Sequence, residues 1–170
     1  ASDVYKRQEI GYEAAQEFNG RVIAPNTIRS IEGGILSYGG DFGREHNPFT
    51  IGLGRLVNLD QEKHKIGKEA LKANKKKWVT EKLVGVELEG DPILKAPENF
   101  WSVKSNNKKV GRLSRAFFSP RLKKNIGLAI IDIDFAEEGT TVSVASPDGD
   151  LTSTVVSLPW FQADKENHLD

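Results

Sequence analysis

Six short segments that resemble β-strands follow one another in the second half of the chain, and this run most constrains the fold. Residues 82–89 alternate between the apolar Val84, Val86 and Leu88 and more polar neighbours, which is typical of a strand buried on one face. The other strand candidates are separated by turn residues and lie at 101–104, 110–118, 126–134, 141–145 and 152–158. Because no helical pattern lies between them, the sequence predicts an antiparallel barrel or sandwich.

The first half of the chain shows helical periodicity instead. Helices are predicted over residues 9–18, 27–36 and 66–76. The second helix follows Asn26, a favourable N-cap residue. The expected buried face of the second helix consists of Ile28, Ile31 and Ile35. The expected apolar side of the third helix consists of Ile66, Ala70, Leu71 and Ala73. Trp101 and Trp160 are both expected on strands, in the core or at a domain interface.

The change of period near residue 80 predicts the domain organisation. Residues 9–79 are expected to be the end of a larger α+β region, and residues 80–166 a small all-β domain, so the fold class is α+β. Residues 1–8 lack clear periodicity, and the sequence has no methionine, even at position 1. We therefore expect residues 1–8 to be a remnant of cloning, and the natural protein to continue upstream.

The segment from Asn26 to Asp60, the 26–60 segment, combines many glycines with aromatic, acidic and basic residues. Glycine permits positive φ and close backbone approach at an entropic cost, so this density indicates that something lies against the backbone. Four of its side chains could converge on a polar ligand: Arg29, Glu32, Tyr38 and Asp41. The alternative is that Arg29 and Glu32 form a surface ion pair, which contributes little stability.

A proline-containing turn at residues 119–125 carries a further candidate. Arg121 could bind an anionic group or a backbone carbonyl there. The alternative is a structural connection whose charges face water.

Composition excludes several classes of function. The 24 basic residues balance the 24 acidic ones, so no overall field attracts nucleic acid or an anionic membrane. Cysteine is absent and the three histidines stand far apart, so neither a disulfide nor a metal site is expected. No apolar run approaches the roughly 20 residues that span a bilayer. The absence of cysteine also suits a reducing compartment, and we expect a cytoplasmic protein.

Five motifs occur in a characteristic order within residues 9–161. They are NTIRSIEGGILSYGGD, NPFTIGLGRLVNLD, IGKEAL, KLVGVELEGDPI and KKVGRLSRAFFSPRLKKNIGLAII. In this order they resemble the glycine-cleavage T-protein family of folate-dependent aminomethyl- and methyltransferases. The segments PNTI, IEGGILSYG, NPF, WSV and SPRLKKN are similar to the dimethylsulfoniopropionate demethylase branch of that family.

The resemblance implies tetrahydrofolate in a central channel, with the 26–60 segment as one wall. The family's catalytic aspartate and a pterin-binding glutamate would lie upstream, so no catalytic residue is expected here and the chain alone should be inactive. Glu32 and Tyr38 match the family's helix glutamate and tyrosine. The family's arginine falls at Ser30, whereas Arg29 lies one residue earlier, about 100° around a helix. The candidates for substrate or cofactor binding are Arg29, Glu32, Tyr38 and Arg121.

Three functions are compatible with the resemblance. We favour methyl transfer from dimethylsulfoniopropionate, or a related donor, to tetrahydrofolate. The first alternative is aminomethyl transfer in glycine cleavage, which requires docking of a lipoyl carrier protein. The second alternative is a folate-binding module without catalytic activity. In both transferases the protein mainly positions donor and acceptor, and no metal is needed.

Overall fold

The structure is a computed structural model and describes residues 2–20, 26–60, 66–77 and 79–160. Within these ranges three α-helices precede six β-strands. The helices are α1 (Ser2–Glu17), α2 (Thr27–Glu32) and α3 (Lys68–Lys77). The strands are β1 (Glu81–Leu88), β2 (Trp101–Ser105), β3 (Lys108–Ser119), β4 (Lys124–Asp132), β5 (Thr141–Ser146) and β6 (Gly149–Val156). None of the helices in these ranges is long and apolar enough to cross a membrane.

The six strands close into an antiparallel barrel in the order β1-β4-β3-β2-β5-β6, and β1 pairs with β6 to complete it. This confirms the predicted antiparallel barrel. The last strand ends at Val156 rather than at residue 158, so the expected strand position of Trp160 is wrong. Instead, Trp160 packs beside α2, and its backbone N–H donates to the carbonyl of Glu32 at 3.0 Å.

Strand β4 is buried on both faces and therefore joins two apolar clusters. Successive side chains of a strand point to opposite faces. Ala129 and Ile131 belong to the cluster that fills the barrel, whereas Ile126 and Leu128 pack against Ile31 of α2. This second cluster holds the 26–60 segment against the outer surface of the barrel.

Strand β3 departs from strict alternation, because every third residue from Val110 to Ser119 is buried. Its register shifts relative to β2 between Val103 and Lys104. It shifts again relative to β4, where Leu113 and Arg115 face consecutive residues and Ser114 is the extra residue. Such a β-bulge bends the strand and redirects side chains.

Helices α1 and α2 differ from their predicted bounds. Helix α1 begins at Ser2, so the expected boundary at residue 8 lies inside it, and the apolar residues Ile10 in this helix and Phe18 just beyond it are exposed. Helix α2 ends at Glu32 rather than near residue 36, because Gly34 takes a φ of +63° that only glycine adopts readily. Ile35 consequently falls outside the helix and is exposed, so its predicted burial is wrong.

Helix α3 begins at Lys68, two residues later than predicted. Gly67 has a φ of +82°, which interrupts the helical path before that point. Ile66 therefore precedes the helix and is fully exposed. The predicted apolar side is wrong for Ala70 and Ala73 as well, which are exposed, and Leu71 is half-buried.

Candidate functional site

A cleft of 410 Å³ lies between the 26–60 segment and one end of the barrel. One wall comes from residues 33–36 and 51–55, and the opposite wall from β1 and residues 155–159. Ile51, Leu83 and Leu158 make much of the lining apolar. This volume lies within the range of about 300–1,000 Å³ that is usual for sites binding small molecules.

Charged side chains also line this cleft. Arg55 and Lys82 bring two positive charges and Glu138 one negative charge, and all three residues are exposed. The positive φ of Gly34 turns the chain directly after α2, and a Cβ at that position would meet the Cβ of Leu158 at 3.5 Å. The cleft can therefore accept a ligand with an apolar body and an anionic end.

Glu32 is buried at the edge of this region, with 3% of its surface exposed. The Ser119 hydroxyl donates to Glu32 Oε1 at 2.5 Å, and the same Ser119 oxygen accepts from the backbone N–H of Leu122 at 3.1 Å. Glu32 is thus bound to the end of β3. Because it is buried and Arg29 is exposed, the alternative of a surface ion pair between them is wrong.

Asp41 is completely buried, and its carboxylate is occupied within the protein. Oδ1 accepts from the Ser114 hydroxyl at 2.6 Å and from Arg115 Nε at 2.8 Å. Oδ2 accepts from the backbone N–H of Ser37 at 2.7 Å and from Arg115 Nη2 at 2.5 Å. The expectation that Asp41 converges with its neighbours on a ligand is therefore wrong, since the carboxylate joins the 26–60 segment to β3.

The other candidates are exposed. Tyr38 is 63% exposed and packs edge-to-face on Phe42, with ring centroids 5.6 Å apart. Arg29 lies on α2, and Arg121 lies in the turn between β3 and β4, two residues beyond Ser119. The structure thus brings Glu32 next to the turn that carries Arg121. Ligand binding by Arg29, Glu32, Tyr38 and Arg121 stays a prediction.

Sequence reasoning did not identify Arg115. Besides Asp41, its guanidinium donates from Nη1 to the Ser30 hydroxyl and from Nη2 to the carbonyl of Ile35, each at 2.8 Å. A guanidinium from the barrel therefore lies beside position 30, where the family resemblance expects an arginine on the helix. The signal in the sequence is weak: β3 carries apolar residues at every third position, which indicates bulges, but nothing in the sequence pairs Arg115 with Asp41.

A second charged region surrounds Glu45 and includes His46 and Arg112. A backbone hydrogen bond at Glu45 holds the pKa of its carboxyl below the ordinary value, and the charges of His46 and Arg112 lower the pKa further. The Arg112 guanidinium lies 3.4 Å from Glu45 Oε1 and 4.4 Å from the ring centre of Phe100. In the described ranges no three acidic or histidine side chains are grouped so that they could hold a metal ion.

Known proteins resemble this chain in sequence. The family described as "Glycine cleavage T-protein C-terminal barrel domain" matches residues 81–162. An aminomethyltransferase of Caldanaerobacter subterraneus subsp. tengcongensis is 36% identical over 139 residues, which cover 82% of this chain and 36% of that protein. The dimethylsulfoniopropionate demethylase of Ruegeria pomeroyi is 30% identical over 149 residues, which cover 88% of this chain and 40% of that protein.

A solved structure resembles this chain in fold. It is the glycine cleavage system aminomethyltransferase T from Bartonella henselae, with a TM-score of 0.69 over 77% of this chain and 36% of that one. At 19% identity this likeness supports the fold alone. The chain spans well under half the length of these relatives. The sequence match assigns residues 81–162 to the glycine cleavage T-protein C-terminal barrel domain family, and the closed barrel agrees with that assignment.

Proposed function

We propose that the natural protein containing this chain is a tetrahydrofolate-dependent one-carbon transferase, and that the group it transfers is aminomethyl. The observation that carries this proposal is the 36% identity to an aminomethyltransferase, compared with 30% to the demethylase. This order favours aminomethyl transfer over the methyl transfer that the motifs suggested. A lipoyl carrier protein would then be the partner that delivers the donor group.

The cleft between the 26–60 segment and the barrel suits part of a folate. Its apolar lining, which includes Ile51, Leu83 and Leu158, would pack against an aromatic ring system. Arg55 and Lys82 would pair with the carboxylates of a glutamate tail. When bound, tetrahydrofolate supplies the nitrogen that takes up the carbon unit.

The chain's own residues would bind and orient rather than react. Arg29, Tyr38 and Arg121 are proposed as further contacts to substrate or cofactor, because they are exposed around the 26–60 segment and the neighbouring turn. Glu32 is also proposed to bind substrate or cofactor, from its buried position beside Ser119. Correct placement of donor and acceptor can account for a large part of the acceleration in such transfers.

The domain organisation belongs to the same proposal. Residues 9–79 would complete a folate-binding region whose catalytic carboxylate lies elsewhere in the protein, and residues 80–166 would be the barrel domain. The assignment of residues 1–8 to a cloning remnant also remains a proposal. On this basis we expect the isolated 170-residue chain to bind tetrahydrofolate weakly or not at all.

The donor can be identified by assaying the natural protein with tetrahydrofolate and one donor at a time. We expect ammonia release and a one-carbon folate product with an aminomethyl-loaded lipoyl carrier, and no product with dimethylsulfoniopropionate. Turnover of dimethylsulfoniopropionate without the carrier would overturn the aminomethyl assignment. The demethylase remains the second candidate because that relative is 30% identical over 88% of this chain.

The cleft can be tested separately by calorimetry with tetrahydrofolate and the natural protein. The variant Arg55→Gln removes one cation of the cleft, and Lys95→Gln removes an exposed cation that pairs with Glu98 elsewhere. We expect Arg55→Gln to weaken binding about tenfold, as loss of a charged hydrogen bond does, and Lys95→Gln to leave it unchanged. Equal affinity of both variants for tetrahydrofolate would show that the folate site lies outside this cleft.

A further inference from the structure

We propose that Arg115 is a positioning residue that sets the shape of the cleft wall from the barrel side. It would do so by fixing helix α2 and the loop after it to strand β3. The proposal rests on the function proposed above only for the identity of the ligand that the wall contacts. The positioning itself depends on contacts within this chain.

The guanidinium of Arg115 contacts three different parts of the 26–60 segment. Nη1 donates to the hydroxyl of Ser30 in α2, and Nη2 donates to the carbonyl of Ile35 just beyond it. Nε and Nη2 also donate to the two carboxylate oxygens of Asp41 in the loop, at 2.8 and 2.5 Å. One side chain therefore links a helix, the chain leaving that helix and the following loop.

These contacts lie before and after the residues of the cleft wall in the sequence. Gly33, Gly34 and Leu36 line the cleft, while Ser30 precedes them in sequence and Asp41 follows them. Fixing both ends of so short a stretch fixes the path between them, even though four of its residues are glycines with wide conformational freedom.

Without the guanidinium, α2 would still be held by Ile31 and by the bond between Ser119 and Glu32, and the loop by the bond between Ser114 and Asp41. The guanidinium adds the direct link between the helix and the loop.

The burial of the ion pair between Arg115 and Asp41 favours one arrangement of the two side chains. Asp41 is fully buried and the Arg115 side chain is 18% exposed, so both charges are largely removed from water. A bidentate guanidinium–carboxylate pair is directional, and an ammonium group cannot reproduce it. The bulge in β3 adds a further contact, because it allows the adjacent residues Ser114 and Arg115 to reach the same carboxylate.

The first test is backbone hydrogen exchange in this chain carrying Arg115→Lys. We expect exchange at the amides of Ser37, Gly39 and Asp41 to accelerate about tenfold or more, the loss expected for a charged hydrogen bond. Amides within β1 and β4 should change by less than about twofold, because their bonds belong to the barrel. The matched control is Arg112→Lys, which alters the same strand but contacts Glu45 and Phe100 instead.

Two results of that experiment would overturn the proposal. One is unchanged exchange at Ser37 and Asp41 in Arg115→Lys, and the other is equal acceleration throughout the barrel, which would indicate a general contribution to stability. If Arg115→Lys does not fold, Ser30→Ala removes the Nη1 contact together with the hydrogen bond that the Ser30 hydroxyl donates to the carbonyl of Thr27 within α2. It should then accelerate exchange in the same loop amides to a smaller extent, and no acceleration there would also overturn the proposal.

The second test measures the effect on the ligand in the natural protein. Arg115→Lys should raise the dissociation constant of tetrahydrofolate about tenfold, whereas Arg112→Lys should not change it. Faster loop exchange with an unchanged dissociation constant would contradict a role in shaping the site. If the unaltered protein does not bind tetrahydrofolate, the proposed function fails, and the exchange experiment still decides whether Arg115 positions the wall.

Discussion

The barrel is stabilised by different interactions from those that stabilise the 26–60 segment. The barrel is filled by apolar side chains, among them Val103, Leu113 and Val144, which are fully buried. The 26–60 segment consists mostly of turns around one short helix and is attached through polar contacts as well as through Ile31. Its two buried carboxylates, Glu32 and Asp41, both bind side chains of β3.

Apolar burial accounts for the stability of the barrel, whereas directional hydrogen bonds set the conformation of the 26–60 segment. Apolar burial is non-directional, so a barrel core specifies a stable fold without fixing each contact angle. Hydrogen bonds to buried carboxylates depend on distance and direction, and an unmade one is costly. The 26–60 segment can therefore be held in one geometry with few apolar contacts, as the wall of the proposed binding cleft requires.

The largest effect is expected in the barrel core. Leu113→Ala should lower the free energy of unfolding by about 3–4 kcal/mol, because a cavity forms where the side chain is fully buried. Leu94→Ala is the control, since Leu94 is 79% exposed and should contribute little. Urea denaturation monitored by circular dichroism measures both. If Leu113→Ala costs no more than Leu94→Ala, the apolar interior does not account for the stability of the barrel.

A smaller and local effect is expected from the first buried carboxylate. Asp41→Asn should destabilise the attachment of the 26–60 segment by about 2–3 kcal/mol, because the Arg115 guanidinium loses hydrogen bonds to a charged partner in a largely buried site. Protease cleavage within residues 39–49 should become faster, while the barrel stays folded. The exposed Asp134 provides the control Asp134→Asn. Simultaneous unfolding of the barrel in Asp41→Asn would remove the distinction between the two regions.

Loss of the hydrogen bond to Glu32, the second buried carboxylate, should lower the free energy of unfolding by about 1–2 kcal/mol. Ser119→Ala leaves Glu32 Oε1 without the hydroxyl that donates to it, and a buried acceptor without a partner is unfavourable. Thermal unfolding should detect the loss, and Ser143→Ala on β5 serves as the matched substitution. Equal melting temperatures for the two variants would show that the contact between Glu32 and Ser119 contributes nothing measurable.

The smallest effect is expected at Glu45, an exposed residue of the loop whose contribution to the free energy of unfolding depends on pH. Because its pKa is lowered in the folded chain, Glu45 stabilises the fold above its ordinary pKa, and this contribution disappears as the pH falls through the lowered value. The stability difference between the unaltered chain and Glu45→Gln should therefore be present at neutral pH and vanish in acid. Denaturation across this range, with Glu137→Gln as the control, measures it. A difference that persists in acid would contradict this assignment.

The barrel could be predicted from the sequence because its signals are local. Alternation in residues 82–89 and turn residues between the segments are each visible within a few positions. The helix bounds differ from those that apolar spacing predicts because two glycines interrupt the helical path. Gly34 and Gly67 take positive φ at the boundaries of α2 and α3, and this ends one helix and delays the other.

The contacts that shape the site could not be predicted in the same way. Arg115 and Asp41 are separated by 74 residues, and no local pattern pairs them. Whether a carboxylate such as Asp41 faces a ligand or another side chain depends on the register and bulges of β3, which are set by pairing across the barrel. The residue types of the 26–60 segment therefore indicated a special backbone, but not which of its polar groups are already occupied.

Hydrogen exchange of the unaltered chain at increasing low concentrations of urea tests the difference between the two regions most directly. We expect amides of β1 and β4 to exchange only through global unfolding, with a strong dependence on urea. Amides of Ser37, Gly39 and Asp41 should exchange through a local opening of lower free energy that depends little on urea. A single free energy and a single urea dependence for all these amides would show that the barrel and the 26–60 segment unfold as one unit, contrary to this picture.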